Sequence, residues 1–403
     1  WLKEFRFKRL CGCSLGPSTF AVMFGLRCFI WAVAARWVQG DWSAVDDMIQ
    51  QFKFLPNVSF SAGDASGRKH TFEKGGIRMD TPLFLASSSK FPAAVAIAGV
   101  VAEGHLTFDT KANEVFEWWT QDSGDDRSTV TLRSLLNFAS GLVCEDVGGC
   151  GMNCLGAVNA TMYSPETCAQ EIYTTGPWVA PPGTFWSYHS MHLQVAGAMA
   201  AKAANLSMQA LLDRFLLKRI NMTSSKWLGY PNPHLAATLT STGDDYDKFL
   251  QSVFNYDIAS KEITDEMEVD AYQHYPGLRP SSFEKDIGLQ YYGHYSMCTY
   301  FECVGQNWSA QCLRNGIHAD PGLYGYWPLI DRSKGYYMQL ATQRVITLPA
   351  WALEMYNISE SEVDSLSAQC VAPLRFSIQA SVEAALNKSS AGADSDRVRD
   401  DPF

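Results

Sequence analysis

Ser87 and Lys90 lie three residues apart in Ala86-Ser87-Ser88-Ser89-Lys90, a spacing that puts a hydroxyl and an amine on one face of a helical turn. Residues 83–86 ahead of them are apolar and read as the end of a buried strand. Residues 93–102 behind them are apolar nearly all round and read as a buried helix. A lysine at the head of such a helix loses hydration, which disfavours its charged form. A neutral amine beside a serine hydroxyl can act as its general base. The chemistry this predicts is nucleophilic attack by Ser87 on an acyl group. Ser-x-x-Lys is also what a capped helix start with a surface lysine looks like, so the pair needs a third group. Tyr188 is the candidate, closing Pro181-Pro182-Gly183-Thr184-Phe185-Trp186-Ser187-Tyr188 just before another helical run. A phenol held near Ser87 and Lys90 can pass protons between nucleophile, lysine and leaving group.

The elements that must position these groups follow from periodicity and turn chemistry. Residues 41–55 are predicted as an amphipathic helix with Trp42, Val45, Ile49 and Phe52 on one face. Residues 57–63 and 70–75 are predicted as a hairpin. The helix after Ser87 stops at Glu103-Gly104, with glycine in the C-cap position. A short helix is expected over 130–142, another opening at Ser164-Pro165-Glu166, and others over 191–204, 208–218 and from Ser241-Thr242. Residues 325–331 and 336–342 read as two strands joined by Arg332-Ser333-Lys334-Gly335. Strands at both ends with helices between predict an α+β fold: an antiparallel sheet built from both chain ends plus a helical subdomain.

A net charge of −10 and a pI of about 5.3 give no nucleic-acid footprint. Asn-x-Ser/Thr sequons at Asn57, Asn159, Asn205, Asn221, Asn307, Asn357 and Asn387 predict glycosylation in a secretory pathway. Cys11, Cys13 and Cys28 lie upstream. The other eight are Cys144, Cys150, Cys154, Cys168, Cys298, Cys303, Cys312 and Cys370. An even number without a C-x-x-C pair favours disulfides over zinc, so no metal is predicted. Residues 20–38 are mostly apolar but broken by Arg27 and Arg36. They fit a signal peptide starting at Met23 and cut after Ala32-Val33-Ala34, with a membrane signal anchor as the alternative. The predicted organisation is residues 1–40 as signal peptide or signal anchor, 41–375 as the main domain, and 376–403 as a polar, disordered tail. A disulfide-stapled insertion is expected near 144–168.

These motifs together resemble the serine beta-lactamase-related family, which includes class C beta-lactamases, D-Ala-D-Ala carboxypeptidases, D-aminopeptidases and related esterases. Ser87-Ser88-Ser89-Lys90 resembles its Ser-x-x-Lys. Leu135-Leu136-Asn137-Phe138-Ala139-Ser140-Gly141-Leu142 resembles its Leu-Leu-x-x-x-Ser-Gly-Leu. The stretch from Pro182 to Ser190 resembles its Pro-Gly-x-x-x-x-Tyr-x-Asn, with Ser190 in place of the asparagine. The likeness runs from about Asp46 to about Thr347. It implies a beta-lactamase/transpeptidase-like fold and hydrolysis of a small-molecule or peptide ester or amide, without a cofactor. Ser87 would be acylated, Lys90 would be its base or proton relay, and Tyr188 would assist acylation and activate the deacylating water. The backbone N–H of Ser87 would help hold the oxyanion.

Two departures stand out. Ser190 keeps a hydroxyl but loses the reach and amide donor of asparagine. The family's third motif, Lys-Thr-Gly or His-x-Gly, falls on Gly316-Ile317-His318-Ala319-Asp320-Pro321-Gly322. The shorter spacing puts Asp320 in the basic position and a longer loop puts His318 there. Residues two apart on a strand share a face, so both are expected to look into the cleft. Ser190, His318 and Asp320 are thus the expected substrate-binding residues. A carboxylate in place of the cation would disfavour substrates with a free carboxylate, such as penicillins. These departures motivate a second reading, a related fold with weak or lost catalysis and a binding or assembly role.

Overall fold

The computed structural model describes residues 41–144, 150–156, 162–281, 294–303, 310–343 and 360–397, the last segment to its side chains over 370–388. The predicted leader, 1–40, lies outside the described residues. So do Asn159, Asn307 and Asn357 and the end of the tail, 398–403.

Two strands from the start of the chain, β1 (Val58–Asp64) and β2 (Gly67–Lys74), form the predicted hairpin. Short strands follow: β3 (Leu83–Phe84), β4 (Phe185–Trp186), β5 (Lys226–Trp227), β6 (Leu239–Ser241) and β7 (Arg279–Pro280). The end of the chain supplies β8 (Tyr295–Ser296), β9 (Thr299–Phe301), β10 (Ile317–Ala319), β11 (Trp327–Asp331) and β12 (Tyr336–Ala341). The main sheet has the order β2-β1-β12-β11-β10-β9-β8, and its paired strands run antiparallel. The register Phe60↔Leu340 joins the two ends of the chain at its middle. This is the α+β arrangement expected from the sequence.

Alternation along the strands divides the core into two layers. On one face Val58, Phe60, Ala62, Trp327, Leu329, Met338 and Leu340 pack against the helices Trp42–Gln51 and Glu360–Arg397. On the other face Ser61 and Gln339 meet the helix Gly243–Phe254. Ser61 Oγ donates to Asp247 at 2.6 Å, and Gln339 Nε2 donates to the Gly243 carbonyl at 2.7 Å. The helical subdomain lies beyond that face, with the helices Lys90–Ala102 and Met191–Ala203 at its centre.

The C-terminal helix departs from expectation. Val371, Leu374, Ile378, Val382 and Leu386 are buried at helical spacing, so the packed domain continues past residue 375. The helix itself runs to Arg397, through sequence predicted as disordered. A polar sequence does not by itself prevent a helix. Arg375 Nη2 donates to Glu302 Oε2 at 2.7 Å in a fully buried ion pair, and Glu302 Oε1 accepts from Trp327 Nε1 at 2.7 Å. This pins the helix to the sheet, since removing either partner alone would strand a buried charge.

Three disulfides, whose pairing the sequence left open, form among the described residues: Cys144–Cys150, Cys154–Cys168 and Cys303–Cys312. The second anchors the helix Pro165–Thr175, whose start is capped by Ser164 and Thr167, to the insertion. A crosslink closing a loop of that length stabilises by about 3 kcal/mol on the chain-entropy model. Cys298 instead remains a buried thiol, against the even pairing expected; its Sγ faces the Leu136 carbonyl at 3.7 Å. Burial, its largest influence, pushes that thiol's pKa well up. Among the described residues no helix is long and apolar enough to cross a membrane.

Candidate active site

The turn that carries Ser87 begins where β3 leaves its pairing with β6. Leu85 N donates to the Leu239 carbonyl at 3.0 Å, and Ala86 then takes φ 48°. Left-handed backbone is costly for a residue with a Cβ and is held only where surrounding contacts fix it. It turns the chain sharply from strand into the short helical turn Ala86–Ser89 and on into the helix Lys90–Ala102.

Three consecutive serines take three different partners. Ser88 Oγ donates to the Asp320 carbonyl at 2.6 Å. Ser89 Oγ donates to the Ala86 carbonyl at 2.6 Å and accepts from Leu239 N at 3.0 Å. Both are buried, while Ser87 is half-buried. Lys90, 2% exposed, donates from Nζ to Ser87 Oγ at 2.9 Å and to the Ala236 carbonyl at 3.0 Å. The predicted pairing of hydroxyl and amine is therefore present.

Tyr188 reaches the same serine from a separate scaffold. Thr131 and Ser134 form a capping box that starts the helix Leu132–Leu136. This helix is shorter than predicted because Phe138 takes φ 56° and Gly141 φ 96°. A Cβ on Gly141 would sit 2.2 Å from the Ala180 carbonyl oxygen, so only glycine allows that approach. Against this bend Gly183 N donates to Ala139 O at 2.7 Å and Ser187 N to Phe138 O at 3.0 Å. Tyr188 then projects from the residues before the helix Met191–Ala203. Its ring centre lies 4.6 Å from Lys90 Nζ, and its hydroxyl is hydrogen-bonded to Ser87 and Tyr300.

Tyr300, on β9, stacks on Tyr188 with ring centres 5.5 Å apart. Nothing in its local sequence marks it, because its place beside Tyr188 comes from sheet pairing at the far end of the chain.

Burial dominates the electrostatics. It lowers the pKa of Lys90, opposed chiefly by Asp320. It raises that of Tyr188, with Asp320 adding to the rise, so the phenol is protonated at neutral pH. It lowers His189 to about 3 and His234 to about 4, with Lys90 contributing to both, so both imidazoles are neutral.

The expected substrate-binding residues are placed differently from one another. Ser190 is buried at the N-cap position of the helix Met191–Ala203, two residues beyond Tyr188. His318 and Asp320 do share a face, since Ile317 and Ala319 pack into the opposite layer. Both side chains on that face are buried. His318, 3% exposed, has Nδ1 3.2 Å from Thr299 Oγ1 and Nε2 3.8 Å from Glu268 Oε2. Asp320, 1% exposed, accepts from Phe91 N at 2.9 Å through Oδ2, and its Oδ1 is buried without a partner. Strand parity fixes which residues share a face, but not which face looks onto a cleft.

A sheet backed by helices, with a lysine-bonded serine heading the central helix, places this protein among the serine hydrolases. Residues 45–255, just over half of the 403, match the family described as Beta-lactamase, and the chain belongs to that family. Its fold is shared with a putative beta-lactamase from Bacteroides dorei DSM 17855, at TM-score 0.60 and 22% identity, over 75% of this chain and 90% of that one. It is shared with unliganded simvastatin synthase (LovD) from Aspergillus terreus, at TM-score 0.55 and 16% identity, over 81% and 98%. It is also shared with a D-stereospecific amidohydrolase from Streptomyces sp., at TM-score 0.54 and 15% identity, over 75% and 94%. No curated protein matches the chain by sequence.

Proposed function

We propose that this protein hydrolyses an ester or amide lacking a free carboxylate, through an acyl-enzyme on Ser87. The observation that carries the reading is the half-buried Ser87 hydroxyl, 2.9 Å from Lys90 Nζ and bonded to Tyr188. Of the two candidate bases, burial favours Lys90: it lowers the amine's pKa and raises the phenol's. A neutral Lys90 donates to the Ala236 carbonyl and accepts the Ser87 proton as Oγ attacks the acyl carbon. The proton returns from Lys90 through Tyr188, which gives its own proton to the leaving group and regains one from the lysine as the bond to carbon breaks, leaving an ester on Ser87. Water then attacks that ester with the proton transfers reversed. The Ser87 N–H serves as an oxyanion donor, a contact worth about 3 kcal/mol in such transition states.

The carboxylate restriction follows from the third motif. His318 is buried and held neutral by that burial, and Asp320 caps a helix. Neither offers a cation to a substrate carboxylate. p-Nitrophenyl butyrate is therefore expected to turn over faster than nitrocefin, which carries a carboxylate. Faster nitrocefin turnover would remove the restriction.

We also infer passage through a secretory pathway. The four described sequon asparagines, Asn57, Asn205, Asn221 and Asn387, are all exposed, and the three disulfides suit an oxidising compartment. Expressed through a eukaryotic secretory pathway, the protein is expected to lose several kilodaltons of apparent mass on treatment with an N-glycosidase. An unchanged mass sinks this inference.

A further inference from the structure

Buried Asp320 has no place in the acyl-transfer steps above, yet it holds the Ser87 turn and the helix that follows it at two points. Its Oδ2 accepts from Phe91 N at 2.9 Å. Its carbonyl accepts from Ser88 Oγ at 2.6 Å. Close by, Gly322 passes so near the turn that a Cβ there would lie 2.3 Å from the Leu85 carbonyl oxygen.

The helix Lys90–Ala102 needs this support. Its own N-cap residue, Ser89, is in helical conformation and makes no side-chain cap, because its hydroxyl is committed to Ala86 and Leu239. The first amides of a helix must be satisfied by something. Here the acceptor comes from a strand end 229 residues away from Phe91.

Oδ1 is fully buried and has no hydrogen-bond partner among the described residues. An anionic oxygen left bare in the interior is costly unless a nearby positive charge balances it. The lysine ammonium is the cation that interacts with it, through space and without direct contact.

We propose that Asp320 is a positioning residue: it caps the helix that carries Lys90 and sets a buried, ionisable carboxyl group against the turn that carries the Ser87–Lys90 pair. Its part in catalysis rests on the reading of Ser87 as the nucleophile; its coupling to Lys90 does not. The other titratable groups facing Lys90 are Tyr188, His189, His234 and Cys298, with Tyr246 and Tyr295 also facing Asp320. The histidines are held neutral and the phenols and thiol protonated by burial; burial also raises the Asp320 carboxyl, and Lys90 lowers it again, so it is Asp320 in its ionised form that opposes the lowering of Lys90.

The sign of the effect follows. Asp320→Asn keeps an acceptor for Phe91 N and removes the charge that Asp320 carries when ionised. Lys90 then loses its proton more easily, and the limb where acylation rises with pH moves to lower pH. Asp320→Ala also loses the cap and is expected to lower the thermal midpoint below that of Asp320→Asn.

The test is the rate of fluorophosphonate labelling against pH for wild type and Asp320→Asn, alongside urea unfolding of Asp320→Asn, Lys90→Met and the double variant. The expected result is a downward shift of the limb by half a pH unit or more, roughly threefold in proton concentration, and non-additive stabilities, with Asp320→Asn costing less once Lys90 is gone. An unshifted limb, or additive stabilities, overturns the proposal. If the wild type does not label at all, the proposed function fails and the unfolding cycle alone decides whether Asp320 and Lys90 are coupled.

Discussion

Lys90→Met is expected to slow acylation of Ser87 by about a thousandfold, in the range general acid–base groups supply. Methionine fills a similar volume but cannot take the Ser87 proton or donate to the Ala236 carbonyl, and these are the two polar contacts of Nζ. The pH dependence gives a sharper signature. In wild type the amine is charged below its lowered pKa and cannot act as base, so acylation rises with pH in a limb below the ordinary lysine value of 10.5. Lys90→Met should lose that limb and leave a slow, flatter rate. Stopped-flow release of p-nitrophenol from p-nitrophenyl butyrate between pH 5 and 10 measures both effects. An unchanged limb in the variant would assign the titrating group elsewhere.

Ser87→Ala is expected to abolish turnover, a loss of at least about 10⁴-fold in the manner of other nucleophile removals. The neighbouring serines make this a test of position as well as of residue type. Ser88→Ala removes the donor to the Asp320 carbonyl, and Ser89→Ala removes the acceptor for Leu239 N. Each leaves a buried backbone group unmatched, with an expected cost of about 1–3 kcal/mol in stability. Both should still form the acyl-enzyme. Burst-phase measurements on the three alanine variants separate the cases, because loss of the burst in Ser88→Ala or Ser89→Ala with retention in Ser87→Ala would move the nucleophile.

Much of this site was legible because its parts are local. The three-residue spacing of Ser87 and Lys90, the apolar helix behind them and the Pro-Gly approach to Tyr188 each report on their own neighbourhood, and each is found close to where it was predicted. The hairpin at each end of the chain was readable for the same reason. What the sequence hid is long-range. Tyr300 owes its place to a strand of three residues pairing at the far end of the sheet, too short to carry a periodicity of its own. Asp320 and His318 were placed correctly on one face, but both side chains on that face are buried. At the C-terminus, Val371, Leu374, Ile378, Val382 and Leu386 carry a helical period that the polar residues between them masked.

The most direct test of the account is the mass of the intact protein after incubation with a fluorophosphonate, followed by mapping of the modified peptide. The account predicts a single adduct, carried by the peptide containing Ser87 and absent from Ser87→Ala. An adduct retained in Ser87→Ala would contradict the assigned nucleophile. No adduct in folded wild-type protein would contradict the acyl-enzyme reading and leave a binding or assembly role on this fold.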